Sequence, residues 1–444
     1  MSNRRNQGAT DLSNPRDQRR LRASHAAFAL LAVTLLAAAC GSSSPSAKKA
    51  SRSTTTTAPT TTSTAAPTPT SAPGSAVPPT TTAPVAKSSA SSKSSSGATG
   101  SSTNCATSLT QACDTQDASA SLTGAGSTFD QPLFSRAFYT YSKANSKVSV
   151  AYASVGSGTG ESDIESQTVD FGASDVPLSP ASGNGGTILE IPVALGGEAI
   201  AYNVPGVHQG LHLTGTVLSN IYLGKITTWN DAAITSLNPG VSLPNQTIET
   251  VHRSDSSGTS YIFTNYLSVV NSAWSSGGPG VSKSPTWTKG NPNNIGGSGN
   301  PGVAAAVANT PFSIGYIELA YALQSALSYA DMQNAAGSFV TPTLSSVSAA
   351  ASQFPNVSYQ NFAIVNAPGS SSYPICGYSW ALVYQKQTNQ SHGIALAKLF
   401  DWETNTGQGQ ASAIGYAPLP SNVQALAHST ILQMQYNGKA LFTG

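Results

Sequence analysis

The sequence predicts an α/β protein whose folded body is divided into two lobes. Three observations lead there. Short β-branched runs alternate with stretches of helical periodicity, the pattern of sheets covered by helices. The body from about Leu122 onward is longer than a single hydrophobic core usually holds. Three separate Gly/Ser/Thr segments each lie where a predicted helix begins.

Taken in chain order, the first element is an export signal. Arg16, Arg19, Arg20 and Arg22 precede Ala26–Ala39, a run of 14 residues broken only by Thr34. That is short for a membrane span and suits a signal h-region over 1–40. The run ends Leu36-Ala-Ala-Ala-Cys40 before Gly-Ser-Ser-Ser, which resembles a lipobox and marks Cys40 for lipidation. The alternative is an ordinary cleavage site with Cys40 incidental. Residues 41–120 form a tether, almost wholly Ser, Thr, Ala, Pro and Gly as far as 104. Such a composition buries too little apolar surface to offset chain entropy, so it is expected to be disordered and extended.

In the body, Val148–Val155 reads as a buried strand and Val169–Ala173 as another. Phe129, Leu133, Phe134, Ala137, Phe138 and Tyr141 recur at helical spacing, as do Ile262, Phe263, Tyr266, Leu267 and Val270.

Charge and metal-ligand spacing remove several function classes. Residues 1–104 carry eleven basic residues against two acidic ones, leaving ten basic and seventeen acidic over 105–444. A body with net charge −7 argues against a nucleic-acid partner, which needs a basic face. Any bound anion must be held by local hydrogen bonds. Cys105 and Cys113 suit a small loop disulfide with Cys376 a buried thiol, but a bridge to Cys376 stays open, because sequence gives no connectivity. The six histidines are scattered; His208 and His212 have helical spacing but no third ligand nearby, so no metal site is expected. Nor is a cofactor.

The candidate chemistry lies in Gly124-Ala-Gly-Ser-Thr128-Phe129, Gly156-Ser157-Gly-Thr-Gly160 and Ser256-Ser257-Gly258-Thr259. Each combines hydroxyls, free backbone N–H groups and the positive end of a helix dipole, the makings of an anion site. Each alone reads more readily as a plain N-cap than as a ligand contact. None is a nucleotide loop. Two charged residues add weight. Arg253, with Asp255 placed to hold it, is one of only two Arg in the body. Its planar fork suits an oxyanion. Asp175 ends a predicted strand, where open α/β sheets bind ligands.

These motifs, with Thr168-Val-Asp-Phe-Gly-Ala-Ser-Asp175, Ile221-Tyr-Leu-Gly-Lys-Ile-Thr-Thr-Trp-Asn-Asp231 and Ile314-Gly-Tyr-Ile-Glu318, resemble the phosphate-binding subunit of the high-affinity phosphate ABC transporter. The likeness runs from about residue 122 to the C-terminus, in the family's order. It implies a type II periplasmic-binding-protein-like fold, with inorganic phosphate bound between the lobes. It implies binding by Thr128, Phe129 and Ser157 from one lobe and by Arg253, Ser257, Gly258 and Thr259 from the other. Asp175 would accept the phosphate's own hydroxyl. It further implies a non-enzymatic protein, lipid-anchored on the outer face of the cell membrane, that delivers phosphate to permease subunits. Lobe I is expected over 121–196 and 373–444, lobe II over 197–372, with Gly196-Gly197 as hinge. Two departures from the family pattern, Ser256 and Gly158-Thr159, leave the contact residues in place.

Two other readings compete. The same fold tuned to sulfate is one, and Asp175 speaks against it. A secreted serine hydrolase or phosphatase using Ser157 or Ser257 is the other, but Gly156-Ser-Gly-Thr-Gly is not the Gly-x-Ser-x-Gly elbow.

Overall fold

The computed structural model describes residues 119–178 and 182–443. The expected export signal, Cys40, Cys105, Cys113 and nearly all of the tether lie outside the described residues. Eight strands form the main path of a ten-stranded sheet: β1 Ala120–Gly126, β2 Val148–Ser154, β3 Phe171–Ser174, β4 Gly186–Asn203, β5 Glu249–Arg253, β6 Asn294–Gly297, β7 Ser313–Glu318 and β8 Cys376–Tyr384. They run in the order β2-β1-β3-β8-β4-β7-β5-β6. The longer helices are α1 Gln131–Ala144, α2 Ser157–Glu165, α3 Gly215–Tyr222, α4 Gly258–Val270, α5 Gly299–Asn309, α6 Leu344–Ser352, α7 Gln390–Thr404 and α8 Ser421–Ile431.

The long strand β4 joins two half-sheets. Ile188–Gly197 pairs antiparallel with β8. From Glu198 to Asn203 the same strand pairs antiparallel with β7 instead. On one side β1 is parallel to β2 and β3; on the other β5 is parallel to β6 and β7. Two large apolar cores lie against the sheet, and the one around Tyr316 runs across the join to include Leu195, Trp380 and Leu382. One gathers Leu122, Phe134, Phe171, Ile191, Leu399 and Phe400. Another gathers Leu218, Phe263, Tyr266, Trp274 and Tyr316. The fold is thus α/β and two-lobed.

Both apolar stripes become helix faces. Leu133, Phe134, Ala137, Phe138 and Tyr141 are the buried face of α1, and Ile262, Phe263, Tyr266 and Leu267 that of α4. The strand β2 departs from expectation. It is an edge strand with Ser149, Ala151 and Ala153 exposed, because among the described residues no strand pairs beyond it and one face meets α1. His208 and His212 share no helix. His212 is in a two-residue strand and His208 in the loop before it, where Gly206 and Gly210 adopt positive φ and break any helix. Cys376 is a buried free thiol whose Sγ lies 3.3 Å from Tyr373 O.

Two features of the core give testable expectations. Gly160 brings α2 so close to β1 that an added Cβ would meet Gly126 Cα at 2.4 Å and Ala125 O at 2.5 Å. Backbone cannot yield as a side chain can, so Gly160→Ala should cost about 1–3 kcal/mol in chemical denaturation. Glu403 on α7 is buried with neither carboxylate oxygen hydrogen-bonded. Burial holds its pKa well above the ordinary value of 4.5. The folded protein therefore keeps a proton that the unfolded chain releases. A raised folded pKa gives stability that is complete below the unfolded value and is lost as pH rises towards the folded one. Glu403→Gln should match the wild-type melting temperature at about pH 5 and exceed it at about pH 8 in thermal unfolding scans.

Candidate functional site

The site is built at the C-terminal ends of parallel strands, where helices begin. After β1 the chain turns through Ser127-Thr128-Phe129 into α1, with Ser127 N–H donating to Ala173 O at 2.9 Å. After β2, α2 starts at Ser157, within the second Gly/Ser/Thr segment. Asp175 follows directly on β3. From the other half-sheet, β5 ends at Arg253 and α4 starts at Gly258, capped by Ser257 Oγ accepting from Ser260 N–H at 3.1 Å. All three Gly/Ser/Thr segments thus point helix N-termini or backbone N–H groups at one place.

The predicted residues are brought together and buried. Thr128, Phe129, Ser157, Asp175, Arg253, Ser257 and Thr259 are each at most 2% exposed. Ser157 Oγ accepts from Gly258 N–H at 3.0 Å and lies 3.4 Å from Asp175 N. A Cβ on Gly258 would stand 2.6 Å from Asp175 Oδ2, so only glycine allows this approach. Thr259 Oγ1 lies 3.4 Å from the same oxygen. Thr128 joins through Asn300, whose Nδ2 donates to Thr128 Oγ1 at 2.9 Å and to Thr259 Oγ1 at 3.3 Å. Phe129 N–H donates to Ser127 Oγ at 3.0 Å, and its ring packs edge-on against Tyr416.

Arg253 is oriented by Asp255. Nε donates to Oδ1 at 2.8 Å and Nη2 to Oδ2 at 2.5 Å. Nη1 remains directed at Thr259 Oγ1, 3.2 Å away. The guanidinium therefore spends one edge on Asp255 and offers the other to the site. Burial alone would raise the Asp255 pKa, but the hydrogen bonds and charge of Arg253 hold it below the ordinary value.

Asp175 is the acceptor among these donors. Its Oδ1 takes Ser127 Oγ–H at 2.5 Å and faces Ser379 Oγ at 2.8 Å. Burial raises its pKa, against hydrogen bonds from Ser127 and Ser379, the charge of Arg253 and a hydrogen bond from Thr259. Ser379 also lies 2.7 Å from Asp130 Oδ2. Burial, with the charge of Asp175 adding, pushes the Asp130 pKa well up. One hydroxyl has one proton to give. Every proton finds an acceptor when neutral Asp130 donates to Ser379 and Ser379 donates to ionised Asp175.

Sequence reasoning missed Ser127, Ser379, Asn300 and Asp130. Ser127 lies inside the first motif and Asp130 directly follows it, so both were legible there. Ser379 lies inside the fully buried strand β8, and Asn300 in the first turn of α5, and neither carries a local signal. Among the described residues, no group of three or more His, Cys, Asp or Glu is arranged to hold a metal ion, and no helix is long and apolar enough to cross a membrane.

Comparison with known proteins follows the same lines. The family profile of the PBP superfamily domain matches residues 50–403. The phosphate-binding protein PstS of Xylella fastidiosa strain 9a5c is 41% identical over 311 residues, covering 69% of this chain and 84% of that one. The phosphate-binding protein PstS of Pasteurella multocida strain Pm70 is 40% identical over 305 residues, covering 68% and 87%. Among solved structures, a high-affinity periplasmic phosphate-binding protein with phosphate bound superposes with a TM-score of 0.56 at 23% identity, over 70% of this chain and 93% of that one, a likeness of fold. The chain belongs to the PBP superfamily and, within it, to the family of PstS phosphate-binding proteins.

Proposed function

We propose that the protein binds inorganic phosphate between its lobes and delivers it to the membrane subunits of an ABC importer. The observation that carries this reading is Asp175, a buried carboxylate set among donors. Oδ1 is occupied by serine hydroxyls, while Oδ2 has only the long Thr259 contact. A carboxylate at an anion site is repulsive unless the anion brings a proton. Phosphate does so near neutral pH and sulfate does not. Thr128, Ser157, Ser257 and Thr259 supply hydroxyls, Arg253 supplies the fixed positive charge, and the N–H groups of Phe129 and Gly258, which donate to Ser127 Oγ and Ser157 Oγ here, turn to the anion when it binds.

The relatives are named as binding proteins, and a non-enzymatic role fits the way the serines are used here. Ser157 Oγ accepts from two backbone N–H groups and Ser257 Oγ caps a helix; among the described residues no imidazole engages either. We place lobe I over 121–196 and 373–444 and lobe II over 197–372. The change of partner along β4 between Gly197 and Glu198 supports that layout. Export and anchoring through Cys40, and docking on the permease, belong to the same reading and rest on the sequence and the family. Globomycin, which blocks lipoprotein signal cleavage, should leave an unprocessed precursor; a Cys40→Ala chain that is still membrane-bound would contradict the anchor.

A further inference from the structure

Beyond the groups around the anion site, a second contact crosses the cleft. Lys283 lies in an irregular segment after α4 and is fastened to that helix twice. Its carbonyl accepts Ser257 N–H at 2.9 Å, and the neighbouring Ser282 N–H donates to Thr264 Oγ1 at 3.3 Å. The Lys283 ammonium is thereby aimed at the opposite half-sheet, where it pairs with Glu161 Oε2.

Glu161 is fastened just as firmly on its side. It lies one helical turn after Ser157 on α2, so both side chains share a face. Its Oε1 accepts from Ser174 Oγ at 2.6 Å, and Ser174 immediately precedes Asp175. Its side chain is 8% exposed against 26% for Lys283. Next to the pair, Gly158 N–H donates to Ser256 O at 3.0 Å across the same gap. Both charges are therefore mounted on neighbours of the binding residues, yet neither is itself one of the proposed donors to the anion. Glu190 is the other acid facing Glu161. Its pKa is pushed up to about 7 by burial, with Glu161 adding to the rise. Lys283 is what balances Glu161 when the two faces meet.

We infer that Lys283 and Glu161 form a latch across the cleft that governs how long phosphate is retained, and that they take no part in choosing the anion. The inference rests on the phosphate-binding reading above. A pair that forms only when the half-sheets touch stabilises the closed arrangement, and its loss appears in the dissociation rate. Opening rehydrates both charges, so the latch is reversible and contributes modestly compared with the anion contacts.

The test is stopped-flow phosphate release and association on the full chain, with sulfate competition alongside. Lys283→Met and Glu161→Gln should each speed release by roughly three- to tenfold. Association should change by less than about twofold, and the phosphate-to-sulfate preference should stay put. Lys283→Glu combined with Glu161→Lys should restore much of the slow release, because the pair is remade with its charges exchanged. Wild-type binding with unaltered release in both single variants would overturn the latch alone. So would single variants whose preference for phosphate collapses, since that would place them in the anion site. A wild-type chain that binds no phosphate would instead overturn the functional reading, and the latch with it.

Discussion

Arg253→Ala is expected to weaken phosphate binding by about 10- to 150-fold or more, the equivalent of losing a charge-assisted contact of about 1.5–3 kcal/mol. Arg253 is 2% exposed, and its guanidinium is the cation directed into the site. The loss reaches further than one contact. Asp255 takes two hydrogen bonds from Arg253 and is held ionised by it, so truncation leaves a carboxylate beside the incoming anion. Arg253→Lys should also bind worse than wild type. An ammonium cannot satisfy both oxygens of Asp255 and still present a second donor edge towards Thr259. Isothermal titration of the three proteins with phosphate checks this. Arg253→Ala binding within a factor of two of wild type would remove Arg253 from the site.

Asp175→Asn should change selectivity more than affinity. Ser127 and Ser379 both direct hydroxyls at Oδ1. An asparagine there places its carbonyl oxygen at Oδ1 and its NH2 at the Oδ2 position, facing the ligand. The acceptor for the phosphate hydroxyl becomes a donor, and the repulsion that excludes sulfate disappears. Discrimination by an unpaired buried charge amounts to about 2 kcal/mol or more. The phosphate-to-sulfate affinity ratio should therefore fall by at least about tenfold, mostly through tighter sulfate binding. Competition titrations in low-chloride buffer measure both affinities. An unchanged ratio would assign Asp175 to structure and leave selectivity to other groups.

The legible part of this protein is what local chemistry dictates. Phe134, Ala137, Phe138 and Tyr141 had to share a helix face, and the structure buries that face. The three Gly/Ser/Thr segments were recognisable because a tight turn into a helix exposes N–H groups, and Gly258 and Gly160 stand where no Cβ fits. What the sequence hid depends on the other half of the chain. Ser379 reads as one more residue of a buried strand until β8 returns beside β3 and brings its hydroxyl to Asp175. Asn300 links Thr128 to Thr259 only because α5 starts opposite the Ser127–Phe129 turn. The run at Val148–Val155 reads as a buried strand, and only the sheet order shows that β2 is an edge. Lys283 sits in a loop whose sequence gives no hint that Glu161 lies across the cleft.

What sets this site apart is a buried carboxylate, Asp175, placed as the acceptor for a protonated oxyanion. The most direct measurement is isothermal titration of the wild-type protein with phosphate and, separately, with sulfate at neutral pH. Saturable binding of one phosphate per chain is expected, with sulfate weaker by at least about 30-fold, as a buried unpaired charge of about 2 kcal/mol requires. Sulfate bound as tightly as phosphate, or no phosphate bound at all, would contradict it.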